Sequence, residues 1–156
     1  MLADRIEAEI DSSCDVVLDA IDSFKAKVAL IYHCRRNKIP IVVSGAAGGR
    51  TDPTQLRVRD LSKTEHDMLL GLVRRKLRDD YGWTRNPKRY FGVQAVYSLE
   101  NVRYPVGCSQ DDALKLDCSG GLGAVMHVTA AFGMIMAKVA LERLLASRSG
   151  PSEAAS

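Results

Sequence analysis

Two carboxylates, Asp19 and Asp22, end a short apolar run near the start of the chain, in the string DVVLDAID (residues 15–22). The run predicts a brief buried strand, and the apolar spacing after Ser23 predicts a helix. Carboxylates between a strand and a helix can bind Mg²⁺, which needs only one or two protein ligands when a substrate's phosphates complete its shell. A helix cap formed by Asp22 or Ser23 explains the same residues equally well.

Basic residues form three groups, at 35–38, at 57–59 and, most densely, at 74–89. The members of the third group are Arg74, Arg75, Lys76, Arg78, Arg85, Lys88 and Arg89. A basic surface of this kind suits RNA, because each phosphate contact releases counterions. The net charge is only +3, however, so a solvated helix face is the alternative that charge alone favours. That face would take its counter-charges from Asp79 and Asp80.

The amino-acid composition limits the classes of protein to which the chain can belong. The 156 residues are 46% hydrophobic and 26% charged, which suits one domain with a real core. The four cysteines, which lie far apart and form no CxxC pair, are Cys14, Cys34, Cys108 and Cys118. This spacing argues against a zinc site and favours reduced thiols in a cytoplasmic protein. Cys118 precedes the last predicted helix, whose dipole could activate a thiolate, but a small buried residue is the better explanation.

A strand, a helix and a second strand follow one another at the start of the chain. The first strand is VVL, the helix runs from Ser23 to Lys38, and the second strand is IPIVVSGAA, which is rich in β-branched residues. This order is typical of a right-handed βαβ unit in a parallel sheet. Ligands of such sheets bind at the carboxyl ends of the strands, where we expect Asp19 and Asp22 to lie.

The remaining elements complete an α/β pattern. TQLRVRDL alternates like a strand, SKTE (62–65) predicts a capping box before a helix that ends near Tyr81, and GVQAVYSLE predicts another strand. A long helix is expected at 122–145. We therefore predict a Rossmann-like, mostly parallel sheet with flanking helices in one domain, residues 1–146, and a disordered polar tail at 147–156.

Two glycine-rich turns are candidates for a phosphate-binding loop, but neither has the right surroundings. GAAGG (45–49) leads into a strand instead of a helix, and GGLG (120–123) follows only a weak strand. The eighteen uncharged residues at 120–137 reach the lower length limit of a membrane span. Their many small side chains favour a tightly packed core or dimer helix, and membrane association through this segment is the alternative.

Three long strings carry a resemblance to a known family. They are DVVLDAIDSFKAKVALIYHCRRNKIPIVVSGAAGGRTDPTQLRVRDLSKTEHDML, GVQAVYSLENVRYP and LDCSGGLGAVMHVTAAFG. In this order they closely resemble the tRNA threonylcarbamoyladenosine dehydratase family, a branch of the ubiquitin-activating-enzyme-like superfamily. The resemblance covers nearly all of residues 14–141, and CRRNKIP, DPTQ and DCSGGLG are specific to this branch.

The resemblance implies an ATP-dependent, ligase-type enzyme. Such an enzyme adenylates the carboxylate of N6-threonylcarbamoyladenosine in tRNA, and the side chain then cyclises with net loss of water. The resemblance implies that Asp22 is the catalytic and metal-binding residue of the Mg-ATP site, with Asp19 beside it and Lys27 near the phosphates. It also implies a homodimer in the cytoplasm, with tRNA on the basic loops. The expected RNA contacts are Arg74, Arg75, Arg78, Arg85, Lys88 and Arg89.

The resemblance also implies a missing half. Members of the family carry a glycine-rich nucleotide loop, a ribose-binding acid and further phosphate-binding cations upstream of the matched part. We therefore expect the C-terminal portion of such an enzyme, with an exposed sheet edge and apolar face. We expect the chain to be inactive without a partner such as the N-terminal half. A sulfur-transfer protein is the second candidate partner. The alternatives are a sulfur-carrier-protein adenylyltransferase and a non-catalytic RNA-binding or dimerisation module.

Overall fold

The computed structural model describes residues 2–104 and 123–148. Within them the elements are α1 (Leu2–Glu9), β1 (Val17–Asp19), α2 (Phe24–Arg36), β2 (Ile41–Ser44), β3 (Leu56–Asp60), α3 (Met68–Tyr81), β4 (Gln94–Ser98) and α4 (Met126–Arg148). Short 3-10 helices at Pro53–Gln55 and Leu61–Lys63 precede and follow β3. The predicted α/β fold is confirmed, whereas the predicted tail lies almost wholly outside the described residues.

The four described strands form one sheet in the order β1-β2-β4-β3. β1 pairs with β2 and β2 with β4 in parallel, with Val17 opposite Ile41 and Val43 opposite Ala95. β3 is antiparallel to β4. The sheet is therefore mostly parallel, as predicted, and the connection from β1 through α2 to β2 is the expected βαβ unit.

Helices cover both faces of the sheet, and β2 is buried along its whole length as a consequence. α2 and α3 pack on one face, in a core that includes Ile31, Val43, Leu70, Leu77 and Tyr97. α4 packs on the other face, in a core that includes Val42, Val96, Val128, Phe132 and Met136. Successive side chains of a strand point to opposite faces, so β2 contributes to both cores.

β1 lies at one edge of the described sheet, and among the described strands it pairs only with β2. Leu18 in this strand is 48% exposed and Ile21 just after it is 41% exposed. The exposed edge and apolar side chains agree with the expectation from the sequence. An unpaired edge of this kind offers free backbone N–H and C=O groups for pairing with a further strand.

The last helix, α4, begins later than predicted, at Met126, and continues to Arg148. One face of α4 packs on the sheet, while Met134 and Leu141 on its outer face are 75% and 59% exposed. Among the residues that the structure describes, no helix has the length and apolar character needed to cross a membrane. Residues 120–122, which begin the uncharged segment, lie outside the described residues.

The predicted capping box at 62–65 is wrong, because α3 begins later. Residues Leu61–Lys63 form a 3-10 helix, and His66 has a positive φ of 55°. Because this left-handed backbone conformation is incompatible with an α-helix, α3 starts only after His66. The true cap is Asp67, whose Oδ1 accepts a hydrogen bond of 2.9 Å from the backbone N–H of Leu70. This shift brings Asp67 into the candidate site.

Candidate functional site

The carboxyl ends of three parallel strands meet at one edge of the sheet. β1 ends at Asp19, β2 at Ser44 and β4 at Ser98, and the parallel pairing places these ends side by side. Polar side chains that follow the strands define the candidate site. They are Asp19, Asp22, Lys27, Arg50, Asp67 and Glu100. Open α/β sheets bind their ligands at this edge.

Asp19 and Lys27 form a fully buried ion pair. Lys27 Nζ lies 3.0 Å from Asp19 Oδ2, both side chains have 0% exposure, and the ammonium also donates to the backbone carbonyl of Asp19 at 3.4 Å. Burial lowers the pKa of Lys27, and the Asp19 carboxylate opposes that shift. The backbone N–H of Ile21 donates to Asp19 Oδ1 at 2.9 Å, so the pair fixes the turn after β1.

Asp22 lies at the exposed end of this turn, one residue before the N-cap of α2. Its side chain makes no hydrogen bond or ion pair with any of the residues that the structure describes, although its charge acts on the nearby Lys27 ammonium. Ser23 occupies the N-cap position but forms no side-chain capping bond. Helix capping therefore does not explain the two residues, and the Asp22 carboxylate is free to bind a ligand.

Asp67 joins the site from the N-cap of α3, and no sequence motif pointed to it. Its Oδ2 accepts a hydrogen bond of 3.0 Å from the backbone N–H of Ala46. A Cβ atom on Gly45 would lie 2.1 Å from the same oxygen, so glycine is required there. The start of the GAAGG string thus makes room for a carboxylate of α3, which is a different role from a phosphate cradle.

Arg50 is the second buried cation of the site, with 1% exposure, and it was also missed. Its Nη2 donates to the His66 carbonyl at 2.9 Å, its Nε donates to the Glu100 carbonyl at 3.3 Å, and its Nη1 lies 3.5 Å from Asp67 Oδ2. Burial lowers the pKa of Arg50, while the charges of Asp67 and Glu100 counteract this shift. The guanidinium therefore ties together the segments that follow β2, β3 and β4.

Glu100 holds the loop after β2 in place. Its Oε2 accepts hydrogen bonds of 2.8 Å from the backbone N–H groups of both Thr51 and Asp52, and its Oε1 accepts one from the Thr51 hydroxyl at 3.1 Å. Hydrogen bonds from these donors, of which the Asp52 N–H has the largest effect, hold the pKa of Glu100 below its ordinary value. A carboxylate with three donors has little capacity left for a ligand, so Glu100 is a positioning residue.

The loop after β2 also contacts both flanks of residues 105–122. Gly49 donates to the Gly123 carbonyl at 3.0 Å, and its own carbonyl accepts from the Arg103 N–H at 2.8 Å. His127 Nε2 lies 2.8 Å from the Thr51 carbonyl. Cys108, Cys118 and most of the GGLG string lie outside the described residues, so the predictions made for them stay predictions.

A single carboxylate of the site, that of Asp22, could hold a metal ion. In the described part of the chain, no three His, Cys, Asp or Glu side chains are grouped so that they could hold a metal ion. Mg²⁺ bound to a triphosphate needs only one or two carboxylates. Asp22 offers one that is exposed and unpaired, whereas the carboxylates of Asp19 and Asp67 contact Lys27 and Arg50.

The six basic residues predicted to contact RNA divide into two sets. Three take part in the fold: Arg74 donates to the Thr64 hydroxyl, Arg78 lies over the Phe91 ring at 5.4 Å, and Arg85 pairs with Asp79 at 2.5 Å. The other three have exposed side chains without an ion pair among the described residues. They are Arg75, Lys88 and Arg89. Asp79 and Asp80 do act as counter-charges, Asp80 for Lys76 at 2.6 Å.

Comparisons with known proteins agree on one family. No family model matches the chain. A Haemophilus influenzae protein named tRNA threonylcarbamoyladenosine dehydratase is 44% identical over 138 residues, which are 86% of this chain and 52% of that protein. The Escherichia coli protein of the same name is 41% identical over 151 residues, which are 92% of this chain and 56% of that protein.

Solved structures give the same result. The E. coli enzyme in complex with ATP superposes with a TM-score of 0.80 at 40% identity, over 95% of this chain and 56% of that one. The enzyme in complex with AMP superposes with a TM-score of 0.76 at 39% identity. The chain thus spans about half the length of the relatives that it matches. Over nearly its whole length it is similar to tRNA threonylcarbamoyladenosine dehydratases, and it corresponds to the C-terminal part of these relatives.

Proposed function

We propose that this chain forms the C-terminal part of an ATP-dependent dehydratase that acts on N6-threonylcarbamoyladenosine in tRNA. The observation that carries the proposal is its similarity, over nearly its whole length, to an E. coli enzyme whose solved structure contains ATP. An exposed, unpaired Asp22 at the carboxyl edge of a mostly parallel sheet supports the same function. Carboxylates at this edge are suited to a metal-nucleotide complex.

In the proposed reaction, an oxygen of the substrate carboxylate forms a bond to the α-phosphorus of ATP as pyrophosphate leaves. A nucleophile of the same side chain then displaces AMP, so that the ring closes with net loss of water. A Mg²⁺ ion would screen the phosphate charges and stabilise the departing pyrophosphate. Asp22 would hold that ion, because its carboxylate has no other partner among the described residues.

Asp19 and Lys27 have a different part in the proposal. Their contact with the nucleotide stays a prediction, while their burial and their 3.0 Å ion pair support a positioning role. The pair fixes the turn that carries Asp22, just as Arg50 and Glu100 fix the loop after β2. Pre-positioned charges of this kind lower the cost of reorganisation when charge develops in a transition state.

The proposal includes tRNA, a second copy of the chain and a cytoplasmic location. Arg75, Lys88 and Arg89 are exposed and unpaired among the described residues, which suits contacts to RNA phosphates. The outer face of α4 exposes Met134 and Leu141, which suits a homodimer. A dehydratase that modifies tRNA would work in the cytoplasm, where its substrate is.

The test compares D22N with D15N, because Asp15 is an exposed carboxylate of the same string that precedes β1. Each variant is joined to the part of the E. coli relative that this chain does not match. The joined protein is given ATP, Mg²⁺ and tRNA that carries N6-threonylcarbamoyladenosine. We expect the wild type and D15N to form the cyclised nucleoside, as measured by mass spectrometry, and D22N to form at least a hundredfold less. Equal rates for D22N and D15N would remove Asp22 from the reaction.

A further inference from the structure

A groove with aromatic and basic walls lies away from the candidate site. It has a volume of about 380 Å³, and its lining includes Tyr32, Arg35, Arg36, Trp83, Tyr90 and Phe91. These residues come from the end of α2 and from the loop between α3 and β4. The groove therefore lies near the amino ends of β2 and β4, opposite the edge that carries Asp22.

The aromatic rings pack against one another in two pairs, one tilted and one edge to face. Tyr32 and Tyr81 have ring centroids 4.2 Å apart, and Trp83 meets Phe91 edge to face at 4.8 Å. Phe91 is buried and belongs to the core, but Tyr90 is 69% exposed, and core packing does not account for it. An exposed ring beside a partly exposed indole offers π-faces on which a nucleobase can stack.

Two arginines border these rings without a carboxylate partner. The Arg35 guanidinium lies against Gly92, where an added Cβ would be 2.8 Å from its Nη2, and Gly92 also has a positive φ of 73°. Arg36 Nη1 donates to the Tyr32 hydroxyl at 3.2 Å. Neither arginine has an ion pair within residues 2–104 and 123–148, and both are exposed. Stabilisation of the α2 dipole accounts for cations here but not for their exposed aromatic neighbours.

We propose that this groove, which we call the aromatic groove, binds an unpaired nucleobase of RNA together with its adjacent phosphates. The base stacks on Tyr90 and Trp83, and Arg35 and Arg36 contact the phosphates. The identification of the ligand as RNA rests on the proposed function. Unpaired bases suit this groove because a base inside a duplex already has its faces covered.

The position of the groove gives it a distinct role. α3 begins beside the candidate site at Met68 and ends near the groove at Tyr81, and its 14 residues span about 20 Å. The base in the groove is therefore not the base that reacts at the carboxyl edge. The aromatic groove holds a second, unpaired part of the same RNA molecule and so favours RNAs in which that part is single-stranded.

Trp83 is the one tryptophan in the sequence, so its fluorescence reports directly on the groove. The full chain is titrated with a single-stranded RNA heptamer without self-complementarity, with a duplex of the same length, and with heparin, which has anionic charge but no bases. We expect the single strand to quench the fluorescence, and the duplex and heparin to bind without comparable quenching. Equal quenching by heparin, or none by the single strand, would overturn the proposal.

Variants separate stacking from charge. We expect Y90A to weaken binding of the heptamer about tenfold, and Y90F to bind like the wild type, because a phenyl ring also stacks. R36Q should reduce the slope of log affinity against log salt by about 0.7, the share of one phosphate contact on a single strand. K138Q removes one charge from an exposed lysine of α4, across the sheet, that pairs with Glu142 at 2.7 Å, and as the control it should leave the slope unchanged.

The outcome is independent of catalysis. D22N should quench like the wild type even if it abolishes the reaction, so the failure of one proposal can be told from the failure of the other. If Y90A binds as tightly as Y90F, or if R36Q and K138Q have the same slope, the groove is not an RNA site. Circular dichroism of each variant confirms that the exposed substitutions leave the fold intact.

Discussion

The ion pair between Lys27 and Asp19 allows a quantitative test of how the site is positioned. The substitution Lys27→Met keeps the length of the side chain but removes its charge, which leaves the Asp19 carboxylate at 0% exposure without a cation. At 3.0 Å and an effective dielectric constant of about 20, the lost attraction is about 5.5 kcal/mol. Since each buried ion also costs several kcal/mol to desolvate, the intact pair contributes little net stability.

Breaking the pair is nevertheless costly. A buried charge whose partner has been removed typically destabilises a protein by about 3–5 kcal/mol, and we expect that loss for K27M. The double variant D19N/K27M removes both charges, and the side-chain amide oxygen that D19N introduces can still accept the hydrogen bond from Ile21. We expect the double variant to lose less than about 2 kcal/mol, so that the two substitutions are strongly coupled.

Urea unfolding, followed by far-UV circular dichroism, gives the free energy of unfolding of the wild type, both single variants and the double variant. The double variant should be more stable than K27M. If K27M loses less than about 1 kcal/mol, or if the double variant loses the sum of the two single losses, the buried pair is not the constraint described above.

Three further predictions concern the groups around the site. G45A should lower the free energy of unfolding in urea by about 2–3 kcal/mol, because the added Cβ would displace the Asp67 carboxylate that caps α3. The control G71A, in α3, should be neutral or stabilising. Equal effects of the two substitutions would contradict the close contact at Gly45. Folding lowers the pKa of Glu100, so its carboxylate stabilises the fold above its unfolded pKa of about 4.3, and this stabilisation is lost as the pH falls through the folded pKa. E100Q should therefore lose less free energy of unfolding than the wild type when the pH is lowered from 5. An equal loss in both proteins would refute the positioning role of the Glu100 carboxylate. Burial raises the pKa of the Cys34 thiol to about 11, so iodoacetamide at pH 8 should alkylate it about a hundredfold more slowly in the native chain than in urea, as mapped by mass spectrometry; a similar rate in both would contradict its burial.

The sequence predicts the parts of the fold that depend on local patterns. The apolar run of β2 and the spacing of Val28 and Ile31 in α2 determine the strand and the buried helix face without reference to the rest of the chain. The order of these elements then indicates a parallel sheet, whose geometry places Asp19 and Asp22 at one edge. Alternation predicted β3 as a strand but could not give its antiparallel direction.

The supporting network of the site could not be predicted in this way. Arg50 and Glu100 are 50 positions apart, and no local pattern connects them. Asp67 was hidden by the string SKTE, a strong capping signal that the left-handed backbone of His66 overrides. The resemblance predicts Lys27 near the phosphates, but the sequence does not reveal that its ammonium is buried against Asp19, because burial is a property of the assembled core.

The most direct test of the account measures the Mg²⁺ concentration that gives half-maximal dehydration in the joined protein. If the Asp22 carboxylate holds the ion, D22N should raise this concentration at least tenfold, while D15N should leave it unchanged. The same half-maximal Mg²⁺ concentration in D22N and D15N, at saturating ATP and tRNA, would contradict the claim that Asp22 binds the metal of the nucleotide.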